Sequence, residues 1–235
     1  MNIATKEIQP FITGLVVPFL TLGSTLLVFD NLRAATKQNF SNNFLKLVDQ
    51  HHKLVDNVST NVLDISTEDK PSKGRAFFDD IAYRITIDYN WLPVNSTTVN
   101  GLSINPNSDI EVGESTGKEK LIKIYDYYFH LYQSDLGHYF RNLYNIIRYA
   151  ERSVSKKAQH QHVKMLRAQL SNYEILLLAY NGLHEYGEKF HRLIEKFELL
   201  KNLNTEEGLP ANWEKRIVDL QILKNNYPHF KKHHS

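Results

Sequence analysis

The sequence predicts an all-α protein: an apolar N-terminal helix long enough to span a membrane, followed by a helical-bundle soluble domain. Three observations predict it. An uncharged nineteen-residue run, Phe11–Phe29, lies near the start. Beyond it, apolar residues recur at spacings of three and four in segment after segment, as helices with one buried face require. The segments are separated by clusters of Pro, Gly, Ser and Asn, the residues that stop helices and make turns. Composition agrees, since 42% hydrophobic and 23% charged residues suit a globular protein and exclude a wholly disordered one. With no cysteine, the chain has no disulfide framework, thiolate nucleophile or cysteine-based zinc site. Twenty-eight basic against 26 acidic residues give a net charge of +2, so the bulk charge carries no specific nucleic-acid signal.

Residues 1–30 read as a membrane anchor. The mean hydropathy of Phe11–Phe29 is roughly +2, above the usual threshold for a spanning helix, and nineteen helical residues reach about 28 Å, close to the hydrocarbon thickness. Gly14, Pro18 and Gly23 weaken a helix in water but are tolerated in a bilayer. The run is longer than a signal-peptide core, so a retained, single-pass anchor in the inner (cytoplasmic) membrane is expected. Lys6 is offset by Glu7 on the N-terminal side, whereas Arg33, Lys37, Lys46 and Lys53 follow the run. The richer basic flank places the soluble domain in the cytoplasm.

Residues 31–66 read as an amphipathic connecting helix, with Phe40, Phe44, Leu47, Val48, His51, Leu54, Val55, Val58 and Val62 on one face. Pro71 and Gly74 punctuate the break after it, and the soluble helical domain occupies residues 74–223. Its first helix is expected at Arg75–Trp91, although Ile85, Thr86 and Ile87 also permit a strand. Residues 93–117, rich in Asn, Ser, Thr, Gly and Pro, read as a long loop. Helices follow at Lys118–Ser134 and Asp135–Arg152, with a kink expected at Gly137. A single long helix is expected at Lys156–Tyr186, then a turn at Gly187, a helix at Glu188–Asn202 and a shorter one at Trp213–Leu223. The basic tail, residues 224–235, is expected to fray.

The densest polar stretch lies in Leu136–Arg152. His138, Arg141, Tyr144 and Asn145 fall at i, i+3, i+6 and i+7 and share one side of a helix. A histidine and an arginine on one face suit a phosphate or a partner's carboxylate; the same residues also suit a buried network that fixes helix packing. Some helical ribonucleases place a histidine about five residues after an arginine and a polar residue. Arg141 and Asn142 begin that pattern, but position 146 is Ile. His160 and His162 diverge on a helix and read as solvated rather than metal-binding. No phosphate loop, nucleophile elbow or metalloprotease motif is present, so the chain reads as non-enzymatic, without cofactor or metal. The aromatics of Tyr125–Tyr149, at helical spacing, read as core.

The ordered segments KQNFSNNFLKLVDQHHKLVDNV, GRAFFDDI, LGHYFRNLYNIIRYAERS, RAQLSNYEILLLAYNGL and EKFHRLIEKFELLKNL resemble the putative phage abortive infection protein family. The resemblance runs from about residue 11 to 203 and is most specific at His138–Arg141 and Arg167–Ser171, which adds Arg167 to the candidate binding residues. The resemblance implies a role in stopping phage infection. Members often carry two N-terminal membrane helices, whereas this chain has room for one. Together these readings give a membrane-anchored defence protein that acts by binding and by a change in membrane or assembly. Its expected partners are lipid at residues 11–29, a phage-derived or host trigger, and further copies of itself. The alternative is a helical nuclease or nucleotide-acting enzyme with its site at His138 and Arg141.

Overall fold

In the computed structural model, the described residues are 14, 17–60, 71–91, 98–99, 102–103, 117–153, 155–204 and 220–233. They form nine α-helices, two 3₁₀ turns and one two-residue β-ladder, in agreement with the all-α expectation. The chain divides into two units within its first helix, one ending at Lys46 and the other beginning at Leu47.

Helix α1, Val17–Asn57, is continuous over 41 residues. Among the described residues no helix is long and apolar enough to cross a membrane. The expected span is thus described only in part. Between Val17 and Asp30 only thirteen residues are uncharged, which at 1.5 Å each cover about 20 Å of a hydrocarbon layer near 30 Å. Positions 11–13, 15 and 16 of the expected span lie outside the described residues. The large side chains of Val17, Phe19, Leu20, Leu22, Leu26, Leu27, Val28, Phe29 and Leu32 are 45–67% exposed. No break separates this apolar turn from the amphipathic part, which ends at Asn57 rather than in the mid-sixties. There Thr60 N–H donates to the Ser72 carbonyl (2.9 Å) and Gly74 N–H to that of Val58 (2.9 Å). Gly74 supplies the positive φ of 61° that lets the chain re-enter a helix.

In the unit from Leu47 onward, α2 (Arg75–Trp91) buries Phe77, Phe78, Ile81, Ala82 and Ile85. The β-branched Ile85–Ile87 stretch is helical, because burial on a 3.6-residue period outweighs local strand preference. Of the expected loop at 93–117, β1 (Thr98–Val99) and β2 (Leu102–Ser103) form an antiparallel pair. Helices α3 (Gly117–Leu131) and α4 (Gln133–Glu151) follow. The break falls at Tyr132 and not at Gly137, which continues α4. The Tyr132 ring is buried edge-on against Phe77, centroids 5.6 Å apart, and this anchor fixes the bend.

The single helix expected at Lys156–Tyr186 is two, α5 (Lys156–Arg167) and α6 (Asn172–Leu183). The Ser171 hydroxyl accepts from Glu174 N–H (3.3 Å) and the Glu174 carboxylate accepts from Ser171 N–H (2.7 Å), a complete capping box that starts α6. Helix α6 is buried all round and packs against α2, α3 and α7 (Glu188–Lys196). A 3₁₀ turn, Glu185–Gly187, joins α6 to α7, and a second, Leu199–Asn202, follows a left-handed residue, Glu198, at φ 50°. Of the helix expected at Trp213–Leu223, residues up to 219 lie outside the described ones, and α8 spans Leu220–Asn226. The frayed tail is also corrected. In α9 (Pro228–His233) and the residue before it, Tyr227 and Phe230 are fully buried. The Tyr227 hydroxyl donates to the Ala179 carbonyl at 2.6 Å.

Candidate functional site

The sequence singles out one face of α4, and the structure places that face largely in solvent. His138, Arg141 and Asn145 are exposed. Tyr144 is half-buried, edge-on to Phe190 with centroids 5.6 Å apart. The buried packing network that these residues also suited is therefore absent. Arg167 has a different task. Its guanidinium donates to the Glu198 carbonyl at 2.7 Å and holds the left-handed turn between α7 and the second 3₁₀ turn.

Of the α4 face, His138 contributes to a groove. Gln50, Lys53 and Asn57 of α1 and Asp135, His138 and Asn142 of α4 line about 400 Å³ of space above Leu54 and Val58. Lys53 is held to Asp49 at 2.7 Å, one helical turn earlier. The groove thus offers amide, imidazole and carboxylate groups over a small apolar floor, the mixture that fixes a ligand's orientation.

Behind Asn142 lies a buried polar chain that the sequence reading missed. His51 Nδ1 is 3.0 Å from Asn142 Oδ1, which as assigned places the imidazole proton on Nδ1. His51 is 1% exposed and its Nε2 has no hydrogen-bond partner. Its ring lies 5.0 Å from that of Tyr139, and the Tyr139 hydroxyl donates to Glu174 at 3.1 Å. Arg75 Nε stands 3.8 Å from the same carboxylate, while its terminal nitrogen donates to the Gln169 carbonyl at 2.8 Å. Burial lowers the pKa of His51 below 6.5, only partly opposed by Asn142 and Glu174, so the ring stays neutral. Burial and the Glu174 charge push the Tyr139 phenol well above its usual range. A neutral imidazole, a protonated phenol and an ionic pair connect α1, α2, α4 and α6. This is the arrangement of a rigid support behind the outer groove.

The sequence carries one signal for this chain. The Ser171–x–x–Glu174 spacing marks Glu174 as a capping residue; the pairing of His51 with Asn142, 91 positions away, leaves no local trace.

A second, more open groove of about 700 Å³ lies where α6 turns into α7, lined by His184, Glu185, Glu188, His191 and Glu195. Three of these side chains are engaged or oriented. His184 Nε2 meets Asp126 at 3.0 Å, His191 Nδ1 meets the Gly182 carbonyl at 3.1 Å, and Glu195 meets His229 at 2.6 Å. His184 Nδ1 accepts from Tyr186 N–H, so its Nε2 carries the proton donated to Asp126 and cannot serve as a metal ligand in this tautomer. Among the described residues no group of three His, Cys, Asp or Glu is placed to hold a metal ion.

No curated protein and no solved structure matches the chain. Residues 131–208, running from the end of α3 through α7 and the turn after it, match the family model described as putative phage abortive infection protein, the same family that the sequence resembles.

Proposed function

We propose that this chain is an anti-phage defence protein of the abortive-infection kind, held at the bacterial inner membrane by its N-terminal helix and acting by binding through its helical domain. The defence role is supported by the match over residues 131–208, which covers the helices α4 to α7. The observation that carries the membrane location is the exposed apolar set between Val17 and Leu32. Nine large apolar side chains open to water are costly, at roughly 25 cal/mol per Å², and lipid removes that cost. The polar residues among them suit the same medium. Thr21, Ser24 and Thr25 return their hydroxyls to backbone carbonyls one turn earlier, at 2.7–2.9 Å. The basic flank from Arg33 to Lys53 supports a cytoplasmic domain.

In this reading the groove at His138 and Asn142 receives a trigger of phage or host origin. The response is a change in membrane state or in association between copies, since one helix cannot enclose a pore. The test is a phage challenge combined with cell fractionation of wild type and a full-length variant carrying Leu20→Asp and Leu27→Asp. Wild type is expected in the membrane fraction and protects; the variant is expected in the soluble fraction, unprotective. Full protection by a soluble variant overturns the membrane part. Failure of wild type across a broad phage panel overturns the defence role. An Arg141→Ala variant that stays folded but loses protection moves the activity to the His138/Arg141 face.

A further inference from the structure

From Arg152 to Tyr173 the chain carries five Lys and Arg and no Asp or Glu, a local excess that the net charge of +2 conceals. The structure gathers much of that charge on one helix face. Helix α5 turns Val163 and Leu166 inward, each 1% exposed, and leaves Lys156, Lys157, His160 and Lys164 outside. Lys156, His160 and Lys164 lie about one turn apart along the axis, roughly 6 Å per step. Arg152, at the C-cap of the preceding α4, is exposed as well. Glu151, the residue before Arg152, is already engaged by two cations, Arg148 and Lys196, the latter at 2.6 Å. Those two partners hold the Glu151 carboxyl below its usual pKa, so it stays ionised and leaves its surroundings with net positive charge. The ring of His160 is set by contact with Phe197, at 5.5 Å, and by a 2.9 Å hydrogen bond from Nδ1 to the Lys156 carbonyl, which leaves Nε2 outward.

We infer that this face of α5 binds the phosphate backbone of a nucleic acid without reading its sequence. Lysines gathered along one helix face suit a chain of regularly spaced phosphates, and among the described residues no ion pair engages Lys156, Lys157 or Lys164. A lipid surface fits less well. Amphipathic helices that lie on membranes bring several exposed aromatic or aliphatic anchors, whereas the single large apolar side chain exposed on α5 is Met165. The inference stands independently of the defence role, because it concerns binding measured on purified protein.

The experiment uses the full chain in neutral detergent and titrates a random-sequence double-stranded DNA and a single-stranded RNA oligonucleotide across 50–200 mM salt. Wild type is expected to bind with a dissociation constant on the order of 1–100 μM, whatever the sequence. The Lys156→Gln, Lys157→Gln, Lys164→Gln triple variant should weaken binding uniformly. Its log K against log salt slope on DNA should be shallower by about 2.7, three times the 0.9 expected per lost contact. A control replacing Lys46 and Lys231 by Gln should change neither. These exposed lysines bury nothing, so unchanged circular dichroism and melting are expected. Three results overturn the inference: no wild-type binding at 50 mM salt, an unaltered slope in the triple variant, or lysine-dependent binding to phosphatidylserine vesicles without binding to either oligonucleotide.

Discussion

Helices α5 and α6 have twelve residues each, stand four residues apart, and occupy opposite environments. Helix α5 buries Val163 and Leu166 and presents mainly lysine, histidine and glutamine on its outer face, with Met165 among them. Helix α6 buries nine consecutive residues, Glu174 to Gly182, including a carboxylate and an amide. The difference shows where this unit stores its stability and where it is free to carry charge. A helix wrapped by α2, α3 and α7 has each polar group committed: Glu174 to Tyr139 and Ser171, Asn181 to the Tyr125 hydroxyl at 3.0 Å. A helix packed on one side keeps its outer face available to a ligand.

The largest effect that would sharpen this contrast is Leu177→Ala in the middle of α6. Loss of a fully buried leucine should cost about 2–5 kcal/mol, read by urea denaturation. A cost below 1 kcal/mol would break the picture of α6 as the centre of the core. Glu174→Ala should follow at about 3 kcal/mol, because the Tyr139 hydroxyl and Ser171 N–H lose their acceptor inside the protein. Tyr139→Phe removes one of those bonds alone and should cost nearer 1 kcal/mol. The pH dependence comes next. The folded pKa of His51 lies below its unfolded value of 6.5, so its stability contribution is complete above that pH and is lost as pH falls. Below 6.5 the unfolded chain takes up a proton that the buried ring refuses. The melting temperature of wild type should fall between pH 7 and pH 5, and His51→Asn should flatten that slope. The smallest effect belongs to α5: each of Lys156→Gln, Lys157→Gln and Lys164→Gln should change stability by less than about 0.5 kcal/mol. A larger change in any of them would place α5 within the core rather than on its margin.

The sequence pattern predicts one helix where the structure has two. Leu166, Leu170, Tyr173 and Leu177 keep helical spacing across the junction, so periodicity alone reports continuity. The break at Ala168–Ser171 is written in capping chemistry, Ser171 with Glu174, a signal legible in the Ser-x-x-Glu spacing. Helix type was readable for most of the chain, as at Arg75–Trp91, because burial of one face imposes a 3.6-residue repeat. The bend at Tyr132 and the docking of Tyr227 were not readable, because each depends on a ring finding a partner far along the chain. The same holds for the site. His138 was found from its helix face and does line a groove, whereas His51, Asn142, Tyr139 and Arg75 form their network only after four helices have assembled. Arg167, found through a resemblance rather than a pattern, holds a turn.

The docking of Tyr227 also sets an order of events during synthesis. Helix α6 leaves the ribosome long before the tyrosine whose hydroxyl caps the Ala179 carbonyl, 48 positions later. A methyl group at Gly182 would lie 2.5 Å from that hydroxyl, which measures how closely the late segment presses onto the early one. Until Tyr227 and Phe230 arrive, this side of α6 stays uncovered, and the nascent chain exposes surface of the kind that chaperones recognise. Burial there is completed by residues translated 48 and more positions later, so the maturation of this unit is timed by elongation rather than by the speed of helix formation.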